Sequence, residues 1–171
     1  EVKVLEVGMG SGLNCLLTSL WSDKHQIKVH YTGIEPFPID EELNKSLNYP
    51  SKIKLKKAQE YFDKIVESVW GDTVTVHDQF VLTKKMERLE DFESDQLFDI
   101  IYFDAFGPNS QKELWEYHIL ETVYRLLNKK GIFVTYCAKG QLKRNLKSIG
   151  YKVETLTGPP GKREMTRARK N

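Results

Sequence analysis

The chain has 171 residues, with 26 Lys and Arg against 24 Asp and Glu, a net charge of +2, two cysteines and four histidines. That is enough for one domain, residues 1–171, which buries about 70% of its unfolded surface without help from staples. Cys15 and Cys137 lie far apart with no Cys-x-x-Cys or Cys/His ligand spacing, which argues against a disulfide scaffold and a metal site and for reduced thiols in a cytoplasm. No apolar run reaches the roughly 18 residues of a membrane span, and no basic-then-apolar leader precedes the first strand.

Charge is unevenly placed. From Arg125 onward there are thirteen Lys and Arg against two acids, leaving thirteen bases against twenty-two acids before it. A solvated basic face is one reading; contact with a polyanion is the other, because clustered Lys and Arg are the electrostatic footprint of nucleic-acid binding.

In chain order, "VKVLEV" (Val2 to Val7) is a short β-branched run that ends in glycines and leads into the helical "LNCLLTSLW". A strand pattern this close to Glu1 implies missing upstream sequence. "IKVHYTGIE" predicts a second strand ending at Glu35, and "FPIDEELNKSLNY" a helix with an Asp near its start. "LKKAQEYFDKIVESV" has helical spacing, "TVTVHDQFVLTK" alternates as one strand, and "FDIIYFD" is the continuous apolar run of a strand covered on both faces. "QKELWEYHILETVYRLL" reads as one amphipathic helix, closed by "NKKG" before the strand "IFVTYCA". The helix "GQLKRNLKSIG" and the strands "YKVETL" and "REMTRA" follow.

Alternation of this kind predicts an α/β fold: a parallel sheet with helices on both faces. The Gly/Pro connection "TGPPGK" makes the last strand antiparallel to its neighbour. A seven-stranded, mostly parallel sheet with a reversed last strand is the Rossmann-like class I methyltransferase plan. "GPPGKREMTRARK" is no phosphate loop, because the spacing puts Leu156 where the first glycine belongs and Arg163 where a hydroxyl belongs. It reads as the turn and outgoing strand of a hairpin, with Gly158, Pro159, Pro160 and Gly161 reversing the chain.

Three features carry chemistry. "LEVGMGSGLN" is Gly-x-Gly-x-Gly, with Leu13 where a dinucleotide fingerprint has its third glycine, which suits a nucleoside with a smaller tail than a pyrophosphate. Glu35 ends the second strand, where an acid accepts ribose hydroxyl protons. Asp104, in "FDAFGP", falls at the carboxyl end of a central strand, where open α/β sheets bind ligands. An NAD-linked oxidoreductase, an aminopropyltransferase and a non-catalytic RNA-binding module share parts of this pattern. The first lacks the sixth-position glycine, and the second needs acids where this chain is basic.

The stretches "EVGMGSGLN", "IEPFPI", "FDAFGP" with the following "ELW", and "CAKGQLKRNLKSIGYKVETLTGPPGKREM" resemble the methyltransferase domain of the MnmC family of tRNA wobble-uridine modification enzymes. The resemblance implies S-adenosyl-L-methionine as cofactor, and as acceptor the exocyclic amine of a 5-aminomethyl-(2-thio)uridine at the tRNA wobble position. Gly8, Gly10, Gly12 and Asn14 would wrap the cofactor tail and Glu35 hold its ribose, with Glu6, Pro36 and Asp104 completing the cofactor-binding set. Asp104 would stand beside the methyl donor and the amine. Phe106, Pro108, Lys139, Lys143, Arg144, Lys162 and Arg163 would face the tRNA. "HDQFVLTK" lacks the family's acid-bearing turn, which leaves the adenine contact unassigned. The family's flavin-dependent oxidase domain is not part of this chain, so the expectation is methyl transfer only, by a stand-alone monomer that leaves the oxidation to a separate partner.

Such a reaction is an in-line displacement that needs a neutral amine about 3 to 3.5 Å from the methyl. An alkylamine with a pKa near 10.4 is neutral in about one part in a few thousand at pH 7, a penalty of roughly 4 to 5 kcal/mol. A sulfonium and desolvation lower that pKa, whereas a carboxylate raises it. Asp104 is therefore cast as orienter and proton acceptor.

Overall fold

The computed structural model describes residues 1–158 and 161–171. Among them, eight strands are β1 (Val2–Val7), β2 (Val29–Ile34), β3 (Thr73–His77), β4 (Phe80–Lys85), β5 (Phe98–Phe103), β6 (Leu127–Thr135), β7 (Tyr151–Thr157) and β8 (Glu164–Lys170). They form one mixed sheet in the order β3-β4-β2-β1-β5-β6-β8-β7. The helices are α1 (Leu13–His25), α2 (Glu41–Lys45), α3 (Tyr49–Ile53), α4 (Ala58–Glu67), α5 (Tyr117–Leu126) and α6 (Gly140–Ile149).

The methyltransferase-like α/β plan is present. β2 pairs parallel with β4, and β5 parallel with both β1 and β6, while β8 runs antiparallel to both its neighbours, β6 and β7. The strand count is eight rather than seven. "TVTVHDQFVLTK" folds back at Asp78 and Gln79, so its two halves pair antiparallel as β3 and β4, with His77 opposite Phe80. Two helices also differ from expectation. The one after Asp40 breaks into α2 and α3, with Asp40 accepting the Leu43 N–H as a side-chain cap and Pro50 restarting the helix. "KELW" is a single 3-10 turn ahead of α5.

The chain divides into two compact units, Glu1–Lys3 with Gly8–Asp91, and Val4–Val7 with Phe92–Asn171. In the first, α4 buries Ala58, Tyr61, Phe62, Ile65 and Val66, a helical i, i+3, i+4, i+7 stripe, and β2 and β4 bury Val29, Tyr31, Ile34, Phe80 and Leu82. Each such large side chain contributes about 1.5–3 kcal/mol on burial. In the second, Phe98, Ile101 and Phe103 of β5 and Leu127 and Phe133 of β6 are buried, with Ile119, Leu120, Val123 and Leu126 supplied by α5.

Both units finish a helix with a lysine from a strand. Lys84 Nζ donates to the carbonyls of Ile65 (2.9 Å) and Val66 (3.3 Å) at the end of α4. Lys170 Nζ donates to the carbonyls of Tyr124 (2.8 Å) and Leu127 (2.7 Å) at the end of α5. A cation there satisfies carbonyls that the helix leaves open and meets the negative end of its dipole. Among the described residues no helix is long and apolar enough to cross a membrane.

Candidate functional site

In the first unit the turn from β1 to α1 passes through Gly8, Gly10 and Gly12 at φ of 83°, 51° and 77°, left-handed conformations that L side chains resist. A Cβ on Gly12 would also press on Ile65 at 3.2 Å, whereas beside Gly10 there is open space. The turn is tied to the end of β2: the Gly8 and Met9 N–H groups donate to the Ile34 carbonyl (3.0 and 3.1 Å). Glu35 completes the tie, one carboxylate oxygen accepting the Gly10 N–H and the other the Phe37 N–H, both at 3.1 Å. An ionised carboxylate has about four lone-pair sites, so two amides leave Glu35 able to accept two hydroxyls.

A cavity of about 520 Å³ opens beside this turn, lined by Met9 to Gly12, by Pro38, Ile39 and Met86, and by the end of α4 through Trp70. Lys84 closes its floor at 4% exposure, 4.9 Å from the Trp70 ring centroid. Burial pushes its ammonium below the usual lysine range. Two residues beyond the end of β4 stands Glu87, with one carboxylate oxygen buried and lacking a hydrogen bond among the described residues, although Lys85 Nζ lies 3.3 Å away as its ion-pair partner. Arg88 places its guanidinium 6.0 Å from the ring of Phe37. Pro36 is half-buried next to Glu35, and Asn14 lies in the first turn of α1 with its carbonyl accepting Thr18 Oγ1.

Within the second unit, β1 and β5 run in register from Val4 opposite Ile100 to Val7 opposite Phe103, and the Asp104 N–H donates to the Val7 carbonyl (2.9 Å). Asp104 is exposed at the end of β5; Glu6 is 1% exposed in β1, opposite Tyr102, and lines neither cavity described here. The next two carbonyls are held from elsewhere: Ala105 accepts the Tyr136 hydroxyl and Phe106 the Trp115 indole N–H, both at 2.8 Å. The Phe106 ring is left 77% exposed. Burial first, and then the Asp104 carboxylate, holds the Tyr136 hydroxyl above the usual phenol range, so it stays a donor.

A second cavity, about 600 Å³, is lined by Pro108, Asn109, Tyr136, Lys139, Lys162 and Arg163, among others. Lys139 Nζ donates to Asn109 Oδ1 (2.6 Å), and Lys162 Nζ sits 3.6 Å from the Tyr136 ring centroid. Pro108, Lys139, Lys162 and Arg163 therefore come together. Two other bases in the expected set do not line this cavity: Lys143 bonds Glu164 (3.2 Å) and Thr155 (2.8 Å), and Arg144 bonds Gln141 on its own helix (2.8 Å). Of the expected chain reversal, residues 159 and 160 lie outside the described residues. On either side of them, the Gly158 N–H donates to the Arg163 carbonyl (3.2 Å) and Gly161 has φ 86°.

Glu87, Trp115 and Tyr136 escaped the sequence reading. Trp115 sat in a quoted stretch, "ELW", yet only the fold shows what its indole holds.

The first unit thus offers a nucleoside-sized cavity on a glycine turn beside a strand-end carboxylate, and the second a basic cleft. Residues 56–171 match a family described as S-adenosyl-L-methionine-dependent methyltransferase. Among curated relatives, the tRNA 5-methylaminomethyl-2-thiouridine biosynthesis bifunctional protein MnmC of Hydrogenovibrio crunogenus is 28% identical over 182 residues, covering 95% of this chain and 25% of the relative. Its Marinomonas counterpart is 31% identical over 175 residues, with the same shares. The chain thus spans about a quarter of the length of the curated relatives it matches. The crystal structure of MnmC2 from Aquifex aeolicus superposes with a TM-score of 0.74 at 22% identity, over 98% of this chain and 52% of that one, which establishes the shared fold. The chain belongs to the S-adenosyl-L-methionine-dependent methyltransferase family.

Proposed function

We propose that this methyltransferase acts on tRNA, methylating the exocyclic amine of a 5-aminomethyl-(2-thio)uridine at the wobble position. What carries the reading is the likeness, along 95% of the chain, to proteins named for making tRNA 5-methylaminomethyl-2-thiouridine. The basic cleft of Lys139, Lys162 and Arg163, and the exposed ring of Phe106 one residue before the cleft's Gly107, support it, since lysines and arginines meet phosphates while an aromatic face stacks on an unpaired base. The same reading takes the chain as one methyltransferase domain, a cytoplasmic monomer whose companion oxidation belongs to a separate partner.

The residues of the first unit fit the cofactor. The turn of Gly8, Gly10 and Gly12 offers backbone with no Cβ in the way, Glu35 has lone pairs left for ribose hydroxyls, and Ile39 and Met86 give an apolar wall for a flat base. Glu87, whose buried carboxylate oxygen has Lys85 Nζ 3.3 Å away and no hydrogen bond among the described residues, is the acid read as acceptor for the adenine amine that the sequence left unassigned. When bound, S-adenosylmethionine supplies a methyl group on a sulfonium, an electrophile for an amine. Asp104, exposed at the end of β5, takes up the proton an ammonium must lose and orients the freed lone pair.

Asp104→Asn keeps the size and removes the charge. Turnover on tRNA bearing the free amine is expected to fall about a hundredfold or more, the usual worth of a placed proton acceptor, while calorimetry finds cofactor affinity nearly unchanged. Near-normal turnover would remove Asp104 from the mechanism.

A further inference from the structure

We propose that Tyr136 is a positioning residue for the loop that carries Asp104; this rests on the reading of Asp104 as proton acceptor. The segment from Asp104 to Phe106 is pinned at three peptide groups, one before Asp104 and two after Ala105. The Asp104 N–H is held by Val7, the Ala105 carbonyl by the Tyr136 hydroxyl, and the Phe106 carbonyl by the Trp115 indole, at 2.9, 2.8 and 2.8 Å. Bonds before and after Asp104 limit how far its backbone can swing, and with it the direction in which the carboxylate leaves the chain. Reacting groups need placement within about half an ångström, and side chains that are themselves locked supply it.

Tyr136 and Trp115 meet that condition in different ways. Trp115 is buried, edge-on to Phe103 with centroids 5.0 Å apart and to Tyr136 at 6.3 Å. Tyr136 follows β6, and Lys162 of the β7–β8 connection covers its ring at 3.6 Å. Its hydroxyl reaches Ala105, its ring meets the cation, and it lines the basic cleft, so one side chain joins the Asp104 loop to the surface read as the RNA contact. Tyr136 touches no reacting atom in this assignment. It acts through the Ala105 carbonyl.

The test is Tyr136→Phe, which keeps the ring and its cation contact and deletes one hydroxyl. In steady-state methyl transfer, kcat is expected to fall about tenfold, as a small misplacement of reacting groups costs, with KM for tRNA, cofactor affinity and melting temperature close to wild type. In hydrogen exchange, the bonded amides of Asp104, Ser110 and Gln111 should exchange faster, those of α5 unchanged. Unchanged kcat with unchanged exchange overturns the assignment. So does a loss of kcat that comes with equal losses of cofactor affinity and melting temperature, the pattern of plain destabilisation. If wild-type protein methylates no tRNA, the reading of Asp104 fails separately, and the exchange rates still decide whether Tyr136 holds the loop.

Discussion

His77 stacks on Tyr61 with centroids 4.5 Å apart and on Phe80 at 5.8 Å, and its two nitrogens have opposite duties. Nδ1 accepts the Gln79 N–H (3.3 Å), which leaves Nε2 to carry the proton donated to the Ser19 carbonyl (3.0 Å). A second proton would set Nδ1–H against the Gln79 N–H, and burial, the largest influence, lowers the pKa below the ordinary histidine value of about 6.5. The unfolded chain therefore binds this proton first as pH falls. The stability contributed by neutral His77 is complete above about pH 6.5 and is lost between that pH and the lower folded pKa. Melting temperatures recorded from about pH 7.5 to 5 should fall more steeply for wild type than for His77→Gln; parallel profiles would contradict this. Single residues were unequally legible in the sequence. Glu35 could be read because a strand pattern ends on it. Glu87 could not, because only the pairing of Ile34 with Lys85 fixes where β4 stops, two residues before it.

Among elements, the β7–β8 hairpin shows how much of a basic surface is structural. Arg167 gives Glu154, its cross-strand partner, two bonds of 2.9 and 2.6 Å, Lys143 pairs with Glu164, and Lys170 closes α5. Lys162 and Arg163, at the connection, are the bases proposed to meet phosphate: neither has an ion pair among the described residues, and both line the cleft. Replacing both by alanine should make tRNA binding less salt-sensitive by about 0.7–0.9 in log-log slope per lost phosphate contact, whereas Arg167→Gln should leave the slope alone. Equal slopes for all three proteins would place the RNA elsewhere. The hairpin itself was legible because glycines and prolines punctuate it. The β3–β4 hairpin was hidden, since Asp78 and Gln79 interrupt an alternating pattern without a glycine, and the turn before α5 was hidden because "KELW" continues a helical spacing.

For the whole molecule, the alternation of strands and helices and the reversed last strand were written in the sequence because they depend on local periodicity. Side chains that meet across long separations, such as Tyr136 with Ala105 and Trp115 with Phe106, were not, since no local pattern encodes them. The charge asymmetry was visible, but its division into helix caps, ion pairs and free cations needed the fold. In the proposed reaction the acceptor is an amine that is overwhelmingly protonated in water, and the group proposed to take its proton is a carboxylate on a pinned loop beside a basic cleft. The most direct test gives the protein labelled S-adenosylmethionine and tRNA that lacks only this methyl group, then locates the label by nucleoside mass spectrometry. One methyl on the aminomethyl nitrogen of the wobble uridine, lost when that uridine is replaced by cytidine, is the predicted result. Cofactor binding without incorporation, or label on another nucleoside, would contradict it.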